Sequence, residues 1–177
     1  MKRFLTVLIL LAAATALFAQ QKTKAELTNY SFSSKDLDGA TISSELYANN
    51  KITMINIWGT FCGPCIREMP DLEKLSQANK DKGFQIIGIP IDLVDDFGRI
   101  IPSAKKDANL IITQTGVTYK NVVPTHDMMA GFLRGIQVVP TTIFVDKNGH
   151  QIGQIYLGSR SQKDWQKILD KLLESQQ

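Results

Sequence analysis

The stretch WGTFCGPCIREMP, residues 58–70, carries both cysteines of the chain, Cys62 and Cys65, with only Gly63 and Pro64 between them. A thiol attacks a disulfide as its thiolate, and an ordinary cysteine is mostly protonated near neutral pH. At the start of a helix, unpaired backbone N–H groups and the positive end of the helix dipole favour the anion. The residues that follow predict such a helix from Gly63 to about Gln77, with Ile66, Met69, Leu72 and Leu75 about one turn apart. Pro64 falls in its first turn, where proline costs little, and Gly63 leaves the first sulfur accessible. Pro70, further in, is expected to kink the helix. This spacing suits dithiol–disulfide exchange. Cys62 attacks, a mixed disulfide forms with a partner, and Cys65 then attacks Cys62 to release it.

The second attack requires that Cys65, the deeper thiol, lose its proton. Glu68 lies three residues on, on the same helical face. It reads either as a partly buried carboxylate with a raised pKa that accepts this proton, or as a solvated surface glutamate beside Arg67. Spacing alone leaves both open. Asn56, two residues before Trp58, reads as a strand residue whose amide is hydrogen-bonded.

The elements that must position these groups follow from pattern. KITMINIW (51–58) reads as a buried central strand running straight into the cysteines, and FQIIGIPID (84–92) as a second. YSFSSKDLDGATIS contains Asp38-Gly39 between two short runs, a hairpin signal. Residues 102–115 predict a helix with Ala104, Ala108, Ile111 and Ile112 on one side and Gly116 as its stop. VTYKNVVP is expected to be a short strand and THDMMAGFL a short helix opened by Thr125 or Asp127. TTIFVD and HQIGQIYLG flank Asn148-Gly149 as a clear hairpin. Ser161 then caps a last helix with Trp165, Ile168, Leu169, Leu172 and Leu173 as its apolar stripe. The order implies an α/β domain with a mixed sheet and helices on both faces.

Residues 1–19 differ from the rest. Lys2 and Arg3 precede an apolar run to Phe18 with small residues near its end, the pattern of a secretory signal. Cleavage is expected after Ala16 or Ala19, with an uncleaved anchor as the alternative. Residues 20–26 read as a polar lead-in and 27–177 as one domain, and the expected location is extracytoplasmic, in the periplasm. Of 20 Lys and Arg against 17 Asp and Glu, two sit in the leader, so without it the balance is +1. That leaves no basic field for nucleic acid. Two cysteines are too few for a disulfide scaffold or a Cys-rich zinc site.

The segment Trp58-Gly-Thr-Phe-Cys-Gly-Pro-Cys65 resembles the active-site turn of the thioredoxin superfamily. With Glu68-Met69-Pro70, the pattern is similar to the exported TlpA- and ResA-type thiol-disulfide oxidoreductases, over roughly residues 27–175. The resemblance implies a thioredoxin fold with an N-terminal β-hairpin and a central strand-helix insertion around 110–133. It assigns the acid–base role to Glu68, since Asn56 stands where cytoplasmic thioredoxins have a buried Asp. It also implies that Pro140, otherwise an ordinary trans proline at a strand start, is cis. The Val139 backbone then faces the cysteines, where a partner segment can pair with it. Trp58 and Pro64 are expected to shape the rim, and Phe61 replaces the Trp usual before the first Cys. The Gly63-Pro64 dipeptide resembles that of thioredoxin and favours a reductase over an oxidase or isomerase. Expected substrates are disulfides of exported proteins, including apocytochrome c haem-site cysteines, and the expected electron donor is a membrane thiol-disulfide carrier. A monomer needing no cofactor or metal is expected.

Three rivals are weaker. A copper metallochaperone would need His126, His150, Met128 or Met129 as further ligands, yet the histidines read as solvated or capping and the methionines as packing. A peroxidase site needs a Thr three residues before the nucleophile, where Gly59 stands. A purely structural 62–65 bridge would close too small a loop to restrain much of the unfolded chain.

Overall fold

The computed structural model describes residues 29–176; the leader and the lead-in lie outside them. Asp38-Gly39 turns the chain between β1 (Ser33–Lys35) and β2 (Thr41–Ser43), and Gly39 takes the positive φ that the turn requires. A 3₁₀ turn, Ser44–Asn49, leads into β3 (Ile52–Trp58), which is buried along its whole length. Then come α1 (Gly63–Asn79), β4 (Phe84–Pro90), α2 (Pro102–Thr115), β5 (Lys120–Asn121) and α3 (His126–Ala130). The chain ends in the hairpin β6 (Thr141–Asp146) and β7 (Gln151–Leu157), followed by α4 (Gln162–Glu174). Among the described residues, no helix is long and apolar enough to cross a membrane.

The five-stranded sheet has the order β5-β4-β3-β6-β7. β3 is parallel to β4 and antiparallel to β6, which makes the sheet mixed. Side chains alternate between its faces. Ile52 and Met54 pack with Leu72 and Leu75 of α1 and with Trp165 and Leu169 of α4. Ile55 and Ile57 face the other way, towards Tyr30, Phe32, Tyr47 and Met128. So α1, α2 and α4 cover one face, and the N-terminal segment with α3 covers the other. Helices on both faces agree with the sequence expectation.

Two details differ from the sequence reading, while α1 is helical without a break through Pro70. β4 ends at Pro90, two residues early: the Ile91 N–H makes the last bond to β3, at the Trp58 carbonyl (2.9 Å), and Asp92 turns to the Thr60 loop. β5 is only two residues long. The β1–β2 hairpin takes the neighbouring backbone groups: Leu37 N–H donates to Asn121 O (3.1 Å) and Val123 N–H to Lys35 O (2.9 Å).

One close approach fixes the sheet beneath the cysteines. The Trp58 indole N–H donates to Asn121 Oδ1 at 2.9 Å, across the position of Gly88. A Cβ on Gly88 would lie 2.0 Å from that oxygen and 3.1 Å from the indole nitrogen. Gly88→Ala should therefore break the Trp58–Asn121 bond and lower stability by about 1–3 kcal/mol, read from the denaturant midpoint. An unchanged midpoint would mean that Asn121 shifts aside freely.

Candidate active site

β3 delivers the chain to the C-terminal edge of the sheet, and the turn Gly59-Thr60-Phe61 redirects it into α1. Asp92 holds that turn: its two carboxylate oxygens each accept the Thr60 N–H at 3.1 Å, and one accepts the Thr60 hydroxyl. Cys62 is then the N-cap of α1, with Pro64 in the first turn. Cys62 and Cys65 form a disulfide, and Cys62 Sγ accepts the Cys65 N–H at 3.2 Å. In the reduced protein the same N–H and the helix N-terminus stabilise a Cys62 thiolate. Both cysteines are mostly covered, 4% and 2% exposed, and Cys65 is the deeper of the two.

The Val139–Pro140 peptide bond is cis. Val139 O lies 3.6 Å from Cys62 Sγ, so this backbone does border the sulfur. The Thr141 hydroxyl donates to Val138 O (2.7 Å) and Gly158 N–H to Pro140 O (2.9 Å), anchoring the turn to β7. Pro140 itself is buried and Val139 half-buried, whereas Phe61 and Pro64 stand exposed beside the disulfide.

Glu68 is 4% exposed, so of the two readings left open by spacing the surface one is excluded. Its Oε1 accepts the Trp165 indole N–H at 2.6 Å and the Arg160 backbone N–H at 2.8 Å. Its Oε2 is buried without a partner. Burial pushes the carboxyl above its ordinary value, against the pull of those two donors and of the Arg160 charge. The result is a carboxyl group one helical turn from Cys65, with one oxygen held and the other free.

Comparison with known proteins agrees with this geometry. The Redoxin family profile matches residues 22–173. The chain belongs to the Redoxin family. It is 27% identical over 176 residues to the thiol-disulfide oxidoreductase ResA of Geobacillus thermodenitrificans, covering 96% of this chain and 94% of that protein. Against ResA of Geobacillus kaustophilus the identity is 30% over 122 residues, 69% of this chain and 63% of the relative's length, just under two thirds. A thioredoxin-family thiol:disulfide interchange protein of Chlorobium tepidum superposes with a TM-score of 0.68 at 25% identity, covering 84% of this chain and 97% of that one. A DsbF homologue of Corynebacterium diphtheriae gives 0.65 at 28% identity, covering 84% and 88%. This Redoxin-family chain thus has the thioredoxin fold and is of the TlpA/ResA type.

Of the residues singled out in the sequence, the structure gathers Cys62, Cys65, Val139 and Pro140 around the sulfurs, with Pro64 at the rim and Glu68 one turn below. Trp58 is a correction. It is fully buried beneath the cysteines, with its N–H bound to Asn121, and so supports the site from within rather than shaping its rim. Asn56 is buried and its amide donates to Thr142 Oγ1 at 3.4 Å. His126 is exposed, His150 is half-buried on the β6–β7 turn, and Met128 lies in the core. Sequence reasoning missed Asp92, Asn121 and Arg160. Trp165 was assigned to the apolar stripe, and the signal overlooked was its N–H, which a buried indole must satisfy.

A raised carboxyl pKa has a defined stability sign. The folded state holds the Glu68 proton more tightly than the unfolded chain, so its contribution is full at low pH and is lost as pH rises from about 4.5, the ordinary value, through the folded-state pKa. Thermal unfolding of the oxidised protein should show this fall, and Glu68→Gln should flatten it. Superimposable pH profiles of parent and variant would contradict it.

Proposed function

We propose that this Redoxin-family chain, a thiol-disulfide oxidoreductase by family and by site, works as a reductase of disulfides in exported proteins. The observation that carries the reading is the disulfide across the first turn of α1, with a buried carboxyl group one turn below it and one of its oxygens free. The Cys62 thiolate attacks one sulfur of a substrate disulfide. That bond breaks, a mixed disulfide forms, and the other substrate sulfur leaves as a thiolate and takes up a proton. Cys65 gives its proton to Glu68 Oε2 and, as a thiolate, attacks Cys62. The mixed disulfide breaks, the second substrate sulfur leaves as a thiolate and takes up a proton, and the Cys62–Cys65 disulfide of this structure remains. Two electrons have passed to the substrate.

An extended substrate segment meets the Val139 backbone beside Cys62, where main-chain pairing can hold it without demanding one side-chain sequence. Recharging needs a dithiol donor, for which a membrane thiol-disulfide carrier is the proposed source. Export rests on the pattern of residues 1–19, and apocytochrome c haem-site cysteines are proposed as one substrate class. Cys65→Ala should accumulate the mixed disulfide at Cys62 in a thiol-trapping assay. Glu68→Gln should form that intermediate normally but resolve it about 100-fold more slowly. Resolution at the parent's rate would remove Glu68 from the mechanism.

A further inference from the structure

Among the described residues, only two buried side-chain nitrogen or oxygen atoms lack a hydrogen-bond partner: Glu68 Oε2 and the Tyr119 hydroxyl. Leaving such a group unsatisfied costs about 1–3 kcal/mol, so two in one interior call for an explanation. They are complementary. An ionised carboxylate oxygen only accepts, and a phenol donates.

They also belong to the same region of the interior. Asn121 meets the Trp58 indole on the α1 side of the sheet, and Tyr119, just before β5, packs on the same side. Its ring packs against both apolar clusters under α1, the one with Cys65 and Met69 and the one with Leu72 and Trp165. Glu68 sits on α1 between Cys65 and Leu72, where those clusters adjoin. The neighbouring residue is pinned to the helix: Glu73 accepts the Thr118 N–H at 2.8 Å and the Thr118 hydroxyl at 2.7 Å. The phenol and the carboxylate are not in direct hydrogen-bond contact, yet the Glu68 charge, after burial itself, pushes the phenol further above its ordinary value.

We propose that the Tyr119 hydroxyl donates to Glu68 Oε2 through one buried water, making Tyr119 a positioning residue for the carboxylate that serves Cys65. A buried water needs at least two polar partners, and these two orphaned groups supply them. The link itself rests on the two unpartnered atoms; only its value to Cys65 rests on the function proposed above. Trp165 and Arg160 fix one oxygen of Glu68, and Tyr119, through that water, engages one lone pair of the other, steadying its charged form and leaving a second lone pair for the Cys65 proton.

The other ionisable groups bearing on Glu68 are Asp71 of α1 and Arg160 of the β7–α4 loop; the Arg160 charge favours the carboxylate and Asp71 opposes it. Glu73 bears on Tyr119. Tyr119→Phe leaves all of these in place and keeps the ring. In the oxidised protein, the Glu68 side-chain carboxyl resonance should titrate about one unit higher in Tyr119→Phe than in the parent, because a donor to the charged form is gone. Coincident titrations would overturn the proposal. A reciprocal measurement needs no change at Tyr119: the resonance of its hydroxyl-bearing ring carbon should move in Glu68→Gln, and an unmoved signal would equally overturn it. Both readouts are independent of turnover. Fast resolution in Glu68→Gln would therefore sink the catalytic role of Glu68 without touching this link, and coincident titrations would do the reverse.

Discussion

Taking a carboxyl group out of water is unfavourable unless the interior offers it partners, and the C-terminal third of this chain is arranged around that demand at Glu68. One oxygen, Oε1, receives the Trp165 indole N–H and the Arg160 backbone N–H, 97 and 92 residues away in sequence. Arg160 in turn stacks over Tyr156 and Trp165, 5.2 and 5.0 Å from the ring centroids, and its guanidinium donates to the Leu157 and Gly158 carbonyls. Trp165 packs edge-on against Phe144 and Tyr156. A few contacts thus join the end of β7, the start of α4 and the middle of α1 at a single carboxylate oxygen. Docking of the last helix and tuning of the Glu68 carboxyl are one construction. Burial raises the carboxyl pKa and the two N–H donors restrain the rise, which leaves a group able to take and return a proton.

The sulfur end obeys a different constraint. Cys62 must be fixed at the helix start, where backbone N–H groups favour its thiolate, and still be reachable by a partner. Rigidity comes from the Asp92 clamp on Thr60 and from the Cys65 N–H on Sγ. Access comes from the position of Cys62 at the edge of the sheet, bordered by the Val139 carbonyl on one side and the exposed Phe61 on the other. Trp58 works from beneath. Its indole fills the space left by Gly88 and holds Asn121, so the floor of the site depends on a glycine in another strand.

Much of this was legible in the sequence because the signals were local. Strand periodicity, the Asp38-Gly39 and Asn148-Gly149 turns, the Thr125 and Ser161 caps and the CxxC at a strand-to-helix junction each depend on neighbouring residues, and each lies where it was expected. The cis Val139–Pro140 bond was legible only through family resemblance. What could not be read depends on distant residues. Whether Glu68 is buried is decided by Arg160 and Trp165, and Asp92 reads as the end of a strand until the Thr60 turn takes it. Trp58 looked like a rim residue because it adjoins the cysteines in sequence. Strand alternation under a covering helix buries it instead.

The central claim is that the Cys62–Cys65 pair is a reducing dithiol couple. Its reduction potential, followed by thiol trapping in graded dithiothreitol or glutathione buffers, tests that claim most directly. The account predicts a value near that of thioredoxin, about −270 mV, or lower. A value near about −120 mV would make the protein a disulfide donor and contradict the proposed direction of electron flow.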